Sequence, residues 1–236
     1  MIERLKLFEG LTYTIIPSRC TLNSPSGPLH ERAYIYWRDF WNEVFATNGD
    51  PGALNRDDFL RQDFISVIHN PNEIVAVHLY TKFDLRLSAY REHSYLRKSF
   101  NELYLSKLEA RGAKTALSVE YLTVNPSYRK SKTGISFAMV MTGIATKIQL
   151  ALEVDVCVAV SRTDVKVPQS NQEFGAEIIQ GNVMVHNTPC DYMALFADKI
   201  VEPANATVNA VVTQLWSKRT DHTNLTTHNK TKSAAA

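Results

Sequence analysis

Cysteine is scarce in this sequence: Cys20, Cys157 and Cys190 are the only three in 236 residues, far apart and odd in number. That excludes a CxxC-type zinc site and a disulfide framework, and it favours a reducing compartment. Long apolar runs are missing too. Nothing approaches the roughly 18 consecutive apolar residues of a membrane-spanning helix. The opening MIERLKLFEGLTYTIIP carries charges inside its apolar portion, where a signal peptide has none. A cytoplasmic location is therefore expected, and the glycosylation-type triplets at Asn205, Asn224 and Asn229 are read as chance. Charge of one sign is also lacking. Lys and Arg number 26 against 24 Asp and Glu, and no basic stripe is interleaved with aromatics, which argues against nucleic acid as a partner. No two of the seven His stand at ligand spacing in a segment expected to be ordered, so no metal is expected. Neither the P-loop spacing nor the Gly-x-G-x-x-Gly dinucleotide fingerprint occurs, and no Ser/His/Asp or Cys/His arrangement can be argued from spacing.

What is present reads as one mixed α/β domain. Residues 1–28 form an N-terminal extension ending in a Ser/Pro-rich loop. A helix starts near Pro28, and in HERAYIYWRDFWNEVFA the residues Ala33, Trp37, Phe40, Trp41, Val44 and Phe45 recur at helical spacing, a broad core face. A short helix is predicted around Arg56 to Gln62, with Asn55 as its cap. DFISVIHNPNEIVAVHLYTKF is then two β-rich runs joined by a turn, an antiparallel hairpin. Residues 86–111 carry one long helical pattern closed by Gly112. Its polar face holds Arg91, Arg97, Lys98, Lys107 and Arg111 against Glu92, Glu102 and Glu109, either a solvated face or a docking surface for an acidic partner.

KTALSVEYLTV reads as a strand, GISFAMVMTGIATKIQLAL as a buried helix and VDVCVAV as a second strand. Such a series is a right-handed crossover between parallel neighbours. A closing hairpin, a helix over 201–216 and a polar tail at 217–236, predicted disordered, complete the order. The main domain spans 29–200 with the helix 86–111 inserted.

The junction YLTVNPSYRKSKTGISFAMVM, a strand leading through a basic loop into a helix, presents backbone N–H groups and the positive end of a helix dipole, a setting suited to phosphate or pyrophosphate. These residues resemble the acyl-donor segment of the GNAT superfamily of N-acyltransferases, a Leu-x-Val-x-Pro strand leading into Arg/Gln-x-x-Gly-x-Gly/Ala. Leu122, Val124, Pro126, Tyr128, Arg129 and Gly134 match, and Lys132 stands where the first glycine is expected. SNQEFGAEII is similar to the family's Asn-bearing helix and Gly-Phe-type turn, here in the order Phe174-Gly175.

The resemblance implies an α/β fold of GNAT type: a single mixed sheet with an inserted helix and added terminal segments. It implies no permanent cofactor and an acyl-CoA or acyl-phosphopantetheine thioester as co-substrate. Leu122, Thr123 and Val124 would meet the pantetheine arm, Arg129, Lys130, Ser131, Lys132, Thr133 and Gly134 the phosphates, and Asn171 would complete the donor site. An amine acceptor must lose a proton as it attacks, so a base is needed. Glu120 is the first candidate, expected on the same face as Leu122 from strand alternation, and His78 the second. Tyr192 is the candidate acid for the leaving thiolate. N-acyl amino acid synthases and autoinducer synthases are the nearest branch by analogy, with acyl carrier protein docking on helix 86–111. The alternative is a catalytically inactive GNAT-like binding or regulatory module, its donor site closed by Lys132.

Overall fold

A computed structural model describes residue 8 and residues 10–225. Among them eight strands form one sheet: β1 (Thr12–Pro17), β2 (Phe64–His69), β3 (Ile74–Asp84), β4 (Thr115–Val124), β5 (Val156–Arg162), β6 (Glu177–Val185), β7 (Thr188–Phe196) and β8 (Thr220–Asp221). Their spatial order is β6-β7-β5-β4-β3-β2-β1-β8. All neighbours are antiparallel except β4–β5 and β1–β8.

Helices cover both faces. On one lie α1 (Gly27–Thr47) and α2 (Asp57–Leu60), with Ala33, Trp37 and Phe45 of α1 and Phe59 of α2 buried against Ile65, Val67, Val77 and Leu79. The apolar spacing seen in the sequence supplies this contact, and Pro28 sits at the first turn, where its missing N–H costs nothing. Asn55, expected as the cap of α2, stands one residue before it: Arg56 is the N-cap, and Asn55 Oδ1 accepts from the Asp57 amide at 3.2 Å. The opposite face is covered by α7 (Phe137–Ala151) and α9 (Ala206–Ser217), which share a core with Ile68, Tyr80, Leu117 and Leu195.

The segment 86–111 is not one helix. It forms α3 (Ser88–Arg91), α4 (Ser94–Ser99) and α5 (Glu102–Ala110). Two polar side chains restart the chain: His93 Nδ1 accepts from the Tyr95 amide at 3.2 Å, and Asn101 Oδ1 from the Tyr104 amide at 2.9 Å. The breaks turn Tyr95, Leu96, Phe100, Tyr104 and Leu108 together onto Phe83, Val156 and Val158 and leave Tyr90 and Leu103 exposed. Four of the five basic residues of that face, all but Lys98, have partners. Arg91 pairs with Glu109, Arg97 with Glu102 at 2.9 Å and Arg111 with Glu177 at 2.6 Å, while Lys107 Nζ donates to the Ile179 carbonyl at 2.9 Å.

The two ends of the described chain also differ from the sequence reading. β1 lies inside the stretch expected as an extension, yet it pairs with β2 along its whole length. β8, in the stretch expected to be disordered, pairs with β1 at Thr14↔Thr220 and Ile15↔Asp221. Residues 226–236 of the expected tail lie outside the described residues.

Candidate functional site

The crossover β4–α7–β5 gives a parallel pair, but only Ala116–Ser118 and Val156–Val158 are in register. Beyond them β4 follows β3 as far as Val124↔Ala76, while β5 follows β7 as far as Arg162↔Cys190. The strands therefore part into a V. Along Val119 to Val124 the backbone groups facing β5 have no strand partner, a row of polar groups open to a ligand.

A β-bulge sits on the open arm. Val77 pairs with Thr123 and Leu79 with Glu120, so Tyr121 and Leu122 together oppose His78. Tyr121 takes φ 56°, a left-handed conformation costly for a residue with a side chain. Its surroundings hold it there: Tyr121 Oη donates to Asp58 Oδ2 at 2.5 Å, Thr123 Oγ1 donates to the Tyr121 carbonyl at 2.8 Å, and the ring meets Trp37 and Trp41 edge-on at 5.3 and 5.1 Å. Trp41 Nε1 donates to Thr123 Oγ1 at 2.9 Å. The bulge reverses the alternation of β4. Leu117, Val119, Leu122 and Val124 pack on the α7 side, whereas Tyr121 packs on the α1 side. Glu120 also turns to the α1 side, toward Arg61, so it does not share a face with Leu122 as strand alternation alone predicted.

Two cavities meet at the V. The larger, about 670 Å3, runs from Phe40, Trp41 and Val44 of α1 past His78, Leu122 and Val124 to Arg129, Lys130 and the start of α7. Ser136 Oγ caps α7 by accepting from the Met139 amide at 3.3 Å. The amides of Phe137 and Ala138, in the first turn, have no intrahelical partner and border the same cavity. The smaller cavity, about 290 Å3, lies on the α1 side among Asp58, Arg61, Tyr95, Lys98, Glu120 and His186. Val119, Tyr121, Val160 and Arg162 border both, so the gap between the strands joins them.

A buried charge cluster floors the smaller cavity. Arg61 Nη2 donates to Glu120 Oε2 at 2.5 Å and Arg61 Nε to Asp58 Oδ1 at 2.9 Å. The guanidinium lies 5.4 Å from the centre of the Tyr95 ring. Burial raises the Glu120 carboxyl to about 7, with Arg61 pulling the other way. The two carboxylates hold Arg61 charged despite its own burial. With two carboxylates and one guanidinium the ionised cluster is net negative, which suits a cationic group such as a protonated amine. Asp58, Arg61 and Tyr121 carried no signal in the sequence. Asp58 and Arg61 lie some 60 residues before the strand they meet, in a short helix and at its C-terminal cap, with no distinguishing pattern.

The other candidates divide. His78, Leu122, Val124, Arg129, Lys130 and Asn171 border the larger cavity and Glu120 the smaller. Thr123 is buried beneath Trp41. Asn171 is engaged at both ends, accepting from Thr142 Oγ1 at 3.0 Å and donating to Ser161 Oγ at 2.9 Å, so it ties α7, β5 and α8 (Val167–Gln172) together. Ser131, Lys132 and Thr133 wind into a helical turn, α6 (Lys130–Thr133), ended by Gly134 at φ 74°. In that turn the Lys132 and Thr133 amides bond to the Arg129 carbonyl and the Gly134 amide to the Lys130 carbonyl. None of Ser131 to Gly134 borders either cavity. Lys132 needs no positive φ, because Gly134 alone takes it. Tyr192 borders neither cavity and packs on Phe100 and Tyr104 at 5.1 and 5.7 Å.

No family model and no curated protein matches the sequence. Solved structures do match. FeeM, an N-acyl amino acid synthase from uncultured soil microbes, superposes with a TM-score of 0.53 over 80% of this chain and 93% of its own, at 10% identity. A mosquito arylalkylamine N-acetyltransferase, like 5b, gives 0.56 over 79% and 99%, at 11% identity. BjaI, a CoA-dependent acyl-homoserine lactone synthase with SAM and isopentyl-CoA, gives 0.51 over 90% and 93%, at 12% identity. The chain has the GNAT fold. Within that fold the splayed pair β4–β5, the bulge at Tyr121 and the α7 N-terminus fall on one continuous cleft.

Proposed function

We propose that the protein is an N-acyltransferase that moves an acyl group from an acyl-CoA thioester to an amine. The observation that carries this reading is the meeting of two cavities through the gap between β4 and β5, beside open backbone on one strand and a buried carboxylate on the other side. The fold it shares with FeeM, BjaI and the mosquito N-acetyltransferase supports it.

The donor would lie in the larger cavity. Its pantetheine arm would hydrogen-bond the unpaired backbone along Leu122 to Val124, replacing the missing strand. Its phosphates would face Arg129, Lys130 and the amides of Phe137 and Ala138. Lys132, turned outward, would add charge at longer range, and Asn171 would hold the cleft wall rather than touch the donor. Because the basic residues of 86–111 are largely engaged by neighbours, free CoA thioester is favoured over acyl carrier protein.

The amine would enter by the smaller cavity, where Glu120 and Asp58 attract its protonated form. Glu120, with its carboxyl near 7, takes a proton from the ammonium. The free amine then attacks the thioester carbonyl, the C–N bond forms and the C–S bond breaks. The nitrogen's second proton balances the departing thiolate, carried by water, since Tyr192 stands apart from both cavities.

A second reading keeps the fold without the chemistry, as a binding module. The self-bonded turn α6, which occupies amides of the phosphate-facing loop, favours it. Calorimetric titration with acetyl-CoA and octanoyl-CoA, followed by thiol release across a panel of primary amines, separates the two. Binding with thiol release supports the enzyme, binding alone supports the module, and binding of neither thioester overturns both.

A further inference from the structure

His78 has a role that its position as a base candidate conceals. It lies on β3 directly opposite the bulge, with Tyr121 and Leu122 across from it, and it borders the larger cavity. The ring is buried and has one side-chain hydrogen-bond partner, the Tyr80 hydroxyl. Ser66 Oγ on β2 lies 3.5 Å from Tyr80 Oη, and a Ser66 that donates there leaves the Tyr80 hydroxyl proton free to point at His78 Nδ1, 3.2 Å away. A Tyr80 hydroxyl that donates to Nδ1 makes it the acceptor nitrogen and puts the proton of the neutral ring on Nε2.

A histidine so held cannot take a proton from an amine: Nδ1 is occupied and Nε2 is already protonated. Burial alone pushes the imidazole down to about 3, so the ring stays neutral and remains a donor across the physiological range. No charged side chain contributes to that shift. The Tyr80 hydroxyl meets the ring; Ser66, the strand partner of His78 on β2, lies beside Tyr80 and beside the Tyr13 phenol of β1.

Resting on the acyl-transfer reading, we propose that His78 is a neutral hydrogen-bond donor to the thioester carbonyl, and that Tyr80 is the positioning residue that fixes its tautomer. As the amine nitrogen attacks, the carbonyl π electrons move onto oxygen. His78 Nε2–H meets the resulting oxyanion and keeps its own proton throughout. When the oxyanion collapses, the C–S bond breaks and the thiolate leaves. A donor aimed at charge that exists only in the transition state acts on kcat rather than on donor binding.

The test uses the full chain. With 15N-histidine, the His78 resonances of the wild type are expected to report the neutral Nε2–H tautomer from pH 5.5 to 8.5, and Tyr80→Phe is expected to mix the tautomers. In thiol-release assays His78→Ala is expected to lower kcat on the order of 10²–10³-fold with the acyl-CoA KM little changed. His78→Gln, which supplies an amide N–H, is expected to recover part of the loss, while Tyr80→Phe falls between it and wild type. Melting by circular dichroism identifies any variant that fails to fold, and the tautomer measurement on the wild type stands without variants. A protonated or Nδ1–H ring at pH 7, or unchanged kcat in His78→Ala beside an active wild type, overturns the proposal and leaves the acyl-transfer reading intact. A wild type that transfers no acyl group from any thioester overturns that reading, and this proposal with it.

Discussion

The two cavities are built in opposite ways. The larger takes much of its wall from one continuous stretch, Val119 to Ala138, in which strand, bulge, basic loop and helix N-terminus follow each other directly. The smaller is assembled from α1, α2, α4, β4 and the β6–β7 turn, pieces that meet only after folding. The first therefore depends more on local geometry, with α1, β3, β5 and α8 completing its wall. The second depends on long-range packing around a buried charge cluster, where the loss of one member is felt by all.

Replacing Glu120 by Gln presses hardest on that difference. It keeps shape and removes the proposed base, and kcat is expected to fall about 10²–10⁴-fold in thiol-release assays. The wild-type rate is expected to rise with pH through about 7, since the ionised carboxylate is the active form, and to lose that rise in the variant. A rate unchanged in Glu120→Gln would falsify the assignment of the base. Arg61→Met comes next. It strands Glu120 and Asp58 without their cation, and a loss of about 3–5 kcal/mol is expected from urea denaturation. If the charge cluster is the cause, adding Glu120→Gln to Arg61→Met returns part of that stability.

On the local side the effects are smaller. Arg129→Ala is expected to raise the acyl-CoA KM about tenfold, roughly 1.4 kcal/mol, with kcat little altered. An equal fall in kcat would place Arg129 nearer the reacting atoms than the loop geometry does. The smallest effect is expected from Trp41→Phe. It removes the bond to Thr123 Oγ1 while keeping most of the ring contact with Tyr121, at a cost of about 1 kcal/mol by thermal melting.

Much of the fold could be read before the structure. The hairpin, the crossover helix and the aromatic face of α1 rest on periodicity, a local property. The strand–loop–helix junction was legible for the same reason, since its residues are sequential, but not that Ser131 to Gly134 would stand away from both cavities. The division of 86–111 was not, because His93 and Asn101 break a helical pattern through side-chain caps that periodicity does not register. β1 and β8 were missed because two short strands draw their stability from pairing with each other and with β2. In the candidate site the missed feature was the bulge. Alternation counts residues and assumes one per step, so it assigned Glu120 to the wrong face, and the Asp58–Arg61 partners that reveal the true face lie in a distant helix.

That bulge makes the strand's function a matter of parity. With Tyr121 as the extra residue, Glu120 and Leu122 stand two positions apart in sequence yet face different chambers, one with a carboxylate and the other with an apolar side chain. A single-residue deletion at Tyr121 would restore an unbroken count and leave composition and charge almost untouched. It would leave Glu120 and the Leu122–Val124 pair on their present faces, since adjacent strand positions already point to opposite sides, whereas a deletion on either side of the bulge moves the residues beyond it to the other face. The sheet could survive such an edit while the two chambers ceased to correspond, so in this fold insertions and deletions across β4 are far more consequential than substitutions of similar size.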